Sequence, residues 1–286
     1  MTKVGGPELI VGEIKAQPAL SNQLVTTKLI LEEKLAIVYI HRAPANAFSY
    51  ELIKTMTETF RKIEEIKSIR TVIFTSSVDR FFSAGVDLEE FGRGKEEWLD
   101  YWRTLRSMFI TIYESRLNII SAINGFAIGL GCALALASQD RYMLNGPGTI
   151  GINPVNIGIP VPIWLMQRYV ELVGQRLSEK LLIMGVSLKA PEAKEIGLVD
   201  EVFENEEEML AACIELARAK HKINELAQVE TNRLLRHSFV KTFYAEEEED
   251  VERMAYFVQL PEIKQIIQDK LEEMRSRRAS RQAEHK

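Results

Sequence analysis

The stretch Leu117-Asn118-Ile119-Ile120-Ser121-Ala122-Ile123-Asn124-Gly125-Phe126-Ala127-Ile128-Gly129-Leu130-Gly131-Cys132-Ala133-Leu134-Ala135-Leu136-Ala137 decides the fold. Its first seven residues are mostly apolar and short enough for a strand buried on both faces, which implies a sheet covered by helices. Asn124 and Gly125 interrupt the run, and Ala133 to Ala137 read as a helix. At a strand-to-helix turn the first helical amides point outward without partners, and the helix dipole favours negative charge there. The same stretch is the best candidate for a membrane span. Asn124 and three glycines break it well short of the ~18–20 apolar residues a span requires.

Upstream, Phe82-Ser83-Ala84-Gly85-Val86-Asp87-Leu88 follows the apolar run Val72 to Ser76 on the same plan. Two such turns aimed at one point would form an oxyanion hole. Neither turn is followed by the Lys-Ser/Thr of a P-loop, and neither has the spacing of a dinucleotide fingerprint.

Further outward, Lys28–Glu33 and Leu35–His41 read as strands joined at Glu33-Lys34, and Arg70–Ser76 as another. Leu52, Met56, Phe60 and Ile63 recur at helical spacing behind a potential N-cap, Ser49. A longer helix over Lys95–Ser115 carries the stripe Trp98, Tyr101, Trp102, Leu105, Phe109 and Tyr113, which reads as core or subunit contact rather than as the wall of an acyl tunnel. Strands alternate with helices to about residue 200, an α/β pattern, and the chain from Glu206 is helix-patterned, with Pro261 opening the last helix. The expected division is an N-terminal arm over 1–26, a core domain over 27–205 and a helical region over 206–286. The acidic run Glu246–Asp250 and the basic Arg275–Arg281 read as solvated faces.

Composition narrows the partners. A net charge of −5 supplies no long-range attraction for nucleic acid or anionic membrane. Cys132 and Cys213 are too few for a disulfide framework and sit in no metal-ligand spacing, so no metal is expected. Residues 1–26 hold Pro7, Glu8, Glu13 and Pro18 rather than an Arg-rich, acid-poor leader, and Glu284-His285-Lys286 is no Ser-Lys-Leu signal, which makes the cytoplasm the default expectation over mitochondrial matrix or peroxisome. His41 ends an apolar strand and reads as structural. His221, His237 and His285 show no triad partner, and Asp87, Glu89 and Glu90 read as acids complementing a helix N-terminus.

The ordered set His41-Arg42-Ala43-Pro44-Ala45-Asn46-Ala47-Phe48, Phe82 to Leu88, Ala122-Ile123-Asn124-Gly125…Gly129-Leu130-Gly131-Cys132 and Ala193-Lys194-Glu195-Ile196-Gly197-Leu198-Val199-Asp200 resembles the crotonase (enoyl-CoA hydratase/isomerase) superfamily over about Leu29–Met274. Phe-Ser-Ala-Gly-Val-Asp-Leu, Ile-Ser-Ala-Ile-Asn-Gly, Pro162-Ile163-Trp164-Leu165 and Leu198-Val199-Asp200-Glu201-Val202 look most like Δ3,Δ2-enoyl-CoA isomerases. The resemblance implies the crotonase (ClpP-like) fold of repeated ββα turns, a helical C-terminal region for trimers or pairs of trimers, and an acyl-CoA thioester as substrate. CoA is then part of the substrate, and no separate cofactor is expected. It also implies oxyanion-hole N–H groups at Ala84 and Leu130, and CoA contacts at Ala43, Ala45, Ser83, Gly85, Val86, Asp87 and Leu88.

Two departures bear on chemistry. The two glutamates of the family's hydratases map to Ala133 and Pro154, and the single glutamate of its isomerases, in a Gly-Leu-Asn-Glu motif, also maps to Pro154 in Gly151-Ile152-Asn153-Pro154. Proline carries no proton and no backbone N–H. Leu130 stands where glycine is usual, keeping the N–H but placing a side chain beside the thioester. Pro154-Val155-Asn156-Ile157-Gly158-Ile159-Pro160 resembles a run in methylmalonyl-CoA decarboxylases, yet the His and Tyr of that branch map to Val86 and Val161. Asn153 and Asn156 can orient a water or carboxylate but are not bases. The expected activity is isomerisation of a 3-enoyl-CoA to the trans-2 isomer through an enolate, with a non-catalytic acyl-CoA binder and a decarboxylase as alternatives.

Overall fold

A computed structural model describes residues 22–284; most of the N-terminal arm and the terminal His285-Lys286 lie outside the described residues. The chain runs β1 (Val25–Ile30), β2 (Leu35–Ile40), α1 (Tyr50–Glu65), β3 (Thr71–Ser76), β4 (Phe81–Ser83), α2 (Lys95–Tyr113), β5 (Asn118–Ile123), β6 (Phe126–Ile128), α3 (Leu130–Ala137), β7 (Asp140–Leu144) and β8 (Thr149–Gly151). There follow α4 (Ile163–Val173), α5 (Gln175–Ile183), β9 (Leu188–Lys189), α6 (Ala190–Glu195), β10 (Glu201–Phe203), α7 (Glu206–His221), α8 (Glu225–Ala245), α9 (Glu247–Gln259) and α10 (Pro261–Glu284). Short 3₁₀ turns cover Leu88–Gly92 and Pro154–Ile157.

The six-stranded sheet has the order β1-β2-β3-β5-β7-β10, antiparallel only at β1-β2. Successive side chains of a strand point to opposite faces. Thus Ala36, Val38, Val72, Phe74, Ile119 and Ile123 enter the main core, while Leu35, Ile37, Ile73, Ile120 and Ala122 pack against Met209, Leu210, Cys213 and Ile214 of α7. Burial of both faces is why these strands lack a polar alternation. β1 begins at Val25, three residues before the expected Lys28, because Val25 is itself buried and pairs with Ile40.

A second sheet, β4-β6-β8-β9, is built from strands of two or three residues. It carries the repeated ββα units, since β3, β5 and β7 each hand over to one of its strands before a helix follows. These strands are too short to show a period. The first glycine-bearing turn therefore follows β4 rather than β3, and leads into a 3₁₀ turn rather than an α-helix.

Ser49 caps α1, its hydroxyl accepting from the Leu52 N–H at 3.3 Å, a contact worth about 1 kcal/mol. The α2 aromatic stripe is core. Trp98, Tyr101, Phe109 and Tyr113 are buried, and Phe109 meets Trp164 of α4 at a ring separation of 4.6 Å. In the acidic run Glu248 and Glu249 are exposed, as a solvated face requires, but Asp250 departs from that reading. It is buried, pairs with buried Arg106 at 2.7 Å, and accepts from the Trp102 and Trp164 indoles at 2.9 and 3.2 Å. This node joins α2, α4 and α9, and Arg106 adds α8 by donating to the Phe243 carbonyl at 2.6 Å.

Pro261 opens α10, which packs against both 3₁₀ turns. A Cβ on Gly158 would come within 2.4 Å of the Ile263 side chain, so the helix rests directly on the turn that follows Pro154. Cys132 and Cys213 are buried free thiols. No helix among the described residues is long and apolar enough to cross a membrane.

Candidate active site

The first turn is held from three sides. Asn46, in a left-handed conformation (φ 50°) that asparagine tolerates, is fully buried; its Nδ2 donates to Ser76 Oγ at 2.7 Å and the Phe82 carbonyl at 3.1 Å, while its Oδ1 accepts from the Arg42 N–H at 2.7 Å. Phe48 donates its N–H to the Gly85 carbonyl at 2.7 Å and accepts from the Asp87 N–H at 3.3 Å. Its carbonyl also accepts from the Tyr101 hydroxyl at 2.8 Å. Burial drives the Tyr101 pKa well above the ordinary phenol value, so the ring stays a neutral donor.

These bonds correct the assignment of the first donor. The Ala84 N–H is already given to the Ala45 carbonyl at 2.9 Å and cannot serve an oxyanion. The Gly85 N–H goes to Ser83 Oγ at 3.0 Å. The Val86 N–H has no hydrogen-bond partner among the described residues, because the bridge to Phe48 uses only the groups on either side of it. Ser83 is corrected too. Its side chain is fully buried, and its hydroxyl donates to the Asn46 carbonyl at 2.7 Å, so it braces the turn and offers a ligand nothing.

The second turn places the Leu130 N–H at the start of α3, where no helical acceptor exists and no other is found among the described residues. Gly129 before it has φ 56° and donates to the Gly151 carbonyl at 2.8 Å, tying this turn to β8. The Leu130 side chain, expected beside a thioester, is buried in the main core. The two turns meet. A Cβ on Gly85 would lie 3.3 Å from the Leu130 nitrogen and 2.7 Å from the Ile128 carbonyl oxygen. Cys132 is no nucleophile here, since burial raises its pKa and keeps the thiol protonated.

Pro154 opens the 3₁₀ turn as a helix-compatible residue without a needed N–H, and its carbonyl accepts from the Ile159 N–H at 3.1 Å. Asn156 donates to the Gly185 carbonyl at 3.1 Å, a structural tie. The buried Ala133 offers no acid either. Asp87 caps the first 3₁₀ turn through the Glu89 N–H at 3.1 Å and pairs with Arg42 at 2.6 Å; Glu90 accepts from the Tyr50 N–H at 3.0 Å and pairs with Arg93. Both acids are engaged in holding the turn. Among the described residues no cluster of three or more His, Cys, Asp or Glu is placed to hold a metal ion.

The model of the enoyl-CoA hydratase/isomerase family matches residues 31–275. The chain belongs to the enoyl-CoA hydratase/isomerase family. It is 30% identical over 269 residues to the mitochondrial enoyl-CoA delta isomerase 1 of Rattus norvegicus, covering 93% of each chain, and 31% identical over 178 residues to the crotonyl-CoA hydratase of Syntrophomonas wolfei, covering 62% of this chain and 68% of that one. The crystal structure of human mitochondrial delta3-delta2-enoyl-CoA isomerase superposes with a TM-score of 0.86 at 28% identity, covering 89% of this chain and 99% of that one.

As a family enzyme, the chain has an enoyl-CoA isomerase/hydratase-type function. Of the other residues expected at its site, Ala43 is exposed, and Ala45, Val86, Asp87 and Leu88 are half-buried around the first turn. His41 is satisfied, its Nδ1 lying 2.8 Å from Ser77 Oγ. The sequence reading passed over Asn46 and Tyr101 as supports of the turn, and took Val86 for a ligand contact rather than a donor. The left-handed Asn46 had a weak signal in its loop setting; the choice between Ala84 and Val86 had none.

Proposed function

We propose that the protein binds an acyl-CoA thioester at the meeting point of the two turns and stabilises the enolate of its acyl group, shifting a 3-double bond to the trans-2 position. The Val86 and Leu130 N–H groups, unpaired and brought together across the Gly85 contact, carry this reading. A donor of this kind contributes roughly 2.7–4 kcal/mol to lowering the barrier when charge develops on the thioester oxygen. Ala43, Ala45, Gly85, Asp87 and Leu88 are the proposed CoA surroundings, with CoA as part of the substrate.

Pro154 favours a second reading, a non-catalytic acyl-CoA binder, because the position proposed for the proton-transferring carboxylate holds no titratable group. Calorimetry with hexanoyl-CoA tests what both share, and saturable binding at one site per chain is the expected result. Absence of binding at millimolar ligand would remove both. Turnover of a 3-enoyl-CoA then separates them, since only the enzyme produces the trans-2 isomer.

A further inference from the structure

Four arginines are buried among the described residues: Arg70, Arg106, Arg141 and Arg236. The first three face carboxylates, with Arg70 Nε 3.2 Å from Glu225, Arg106 Nη1 2.7 Å from Asp250 and Arg141 Nη2 3.1 Å from Asp200. Arg236, in α8, has no ion-pair partner among the described residues. Its guanidinium donates to the Tyr113 carbonyl at the C-terminal end of α2 and stacks on the Tyr113 ring, with Cζ 4.1 Å from the centroid. A second guanidinium, Arg168 of α4, stands 5.3 Å from the same centroid. Arg168 donates to the Leu136 carbonyl at 2.9 Å and pairs with Glu171 at 3.0 Å, so the acid whose charge reaches Arg236 is already taken.

Arg141, Arg168 and Arg236 thus act on one another while sharing two carboxylates, Asp200 and Glu171. Burial, and then the charges of Arg168 and Arg141, push the Arg236 pKa down to about 10, which still leaves it a cation at neutral pH. The carbonyl end of α2 offsets only part of that charge, because a helix end carries about half a unit. A buried cation without a full counter-charge is destabilising, and the flat fork of a guanidinium matches an oxyanion through parallel N–H bonds.

We propose that Arg236, beside Arg168 at the junction of α2, α4 and α8, binds an oxyanion of the carboxylate or phosphate type. The site lies at the opposite end of α3 from the Leu130 N–H, and the inference does not rest on the acyl-CoA reading. The oxyanion has two sources: a free anion, or an acidic side chain of a second copy of the chain, since Leu234 and Leu235 on the same helix are exposed.

Thermal unfolding in phosphate and in chloride at equal ionic strength tests the free source. The native protein is expected to gain roughly 2–4 °C more from phosphate than Arg236→Met, in which only the general salt effect remains. Arg236→Gln replaces it if methionine does not fold, and saturation of the gain in the native protein is read without any variant. Light scattering across protein concentrations tests the second source. If a second copy supplies the carboxylate, phosphate brings no extra gain, and Arg236→Met moves dissociation of the oligomer to about tenfold higher protein concentration. A native protein with no saturable phosphate gain, and a variant with unchanged dissociation, overturns the inference. A phosphate gain that survives in the variants also overturns it, because the anion then binds elsewhere.

Discussion

Gly85 and Leu130, forty-five residues apart, approach so closely that a single methyl on Gly85 would stand 3.3 Å from the Leu130 amide nitrogen. Gly85 also has φ +92°, a conformation that side chains rarely adopt. Gly85→Ala therefore meets both backbone strain and a clash with the Ile128 carbonyl. The expected outcome is a loss of about 1–3 kcal/mol in chemical denaturation, together with loss of hexanoyl-CoA binding. A variant of native stability and native affinity would show that the two turns do not form the binding point.

Arg106 and Asp250 make a buried pair that joins α2 to α9, and through α9 to the helix α10 lying on both 3₁₀ turns. Removing one member leaves an unpaired buried charge. Asp250→Ala is expected to destabilise by about 3–5 kcal/mol, read from urea melts. The double variant Arg106→Met, Asp250→Leu should cost clearly less than the two single variants together, because neither charge is then left alone. Strict additivity would show that the pair is not coupled.

Pro154 is followed by a turn whose backbone bonds, Pro154 carbonyl to Ile159 N–H among them, do not need proline. Pro154→Glu can keep the turn, and an acid in a first turn is favoured by its dipole. If the lack of a carboxylate limits turnover, this variant should raise 3-enoyl-CoA isomerisation by the ~10²–10⁴-fold typical of a positioned acid or base. A native rate that the variant leaves unchanged would mean that another group moves the proton.

Helix α8 leaves Leu226, Leu234 and Leu235 exposed at 79%, 60% and 79%, with Ile223 just before the helix at 55%. Exposed apolar area on this scale marks an interface more often than a free surface. We expect a trimer or pair of trimers in light scattering, and smaller species for Leu226→Glu with Leu235→Glu. A monomeric native protein at micromolar concentration would refute the expectation.

The sequence by itself determined the strands β2, β3 and β5, because residues buried on both faces leave continuous apolar runs, and it determined α1, α2 and the start of α10 through their period, the Ser49 cap and Pro261. Glycines marked both turns, and at Gly85, with φ +92° and the Ile128 carbonyl oxygen 2.7 Å from any added Cβ, the fold requires one. Tertiary structure alone decided which amides remain free. Ala84 and Val86 are both ordinary residues beside one glycine, and the Ala45 carbonyl, distant in sequence, takes the first and leaves the second. The second sheet was equally hidden, for strands of two or three residues carry no period of their own and exist by pairing with one another. Asp250 follows the same rule: it lies in a run of acids that patterns as surface, and Arg106 with two tryptophans from other helices makes its burial possible. Local pattern reports what a segment prefers, whereas hydrogen-bond partners drawn from distant segments settle which polar groups are left for chemistry.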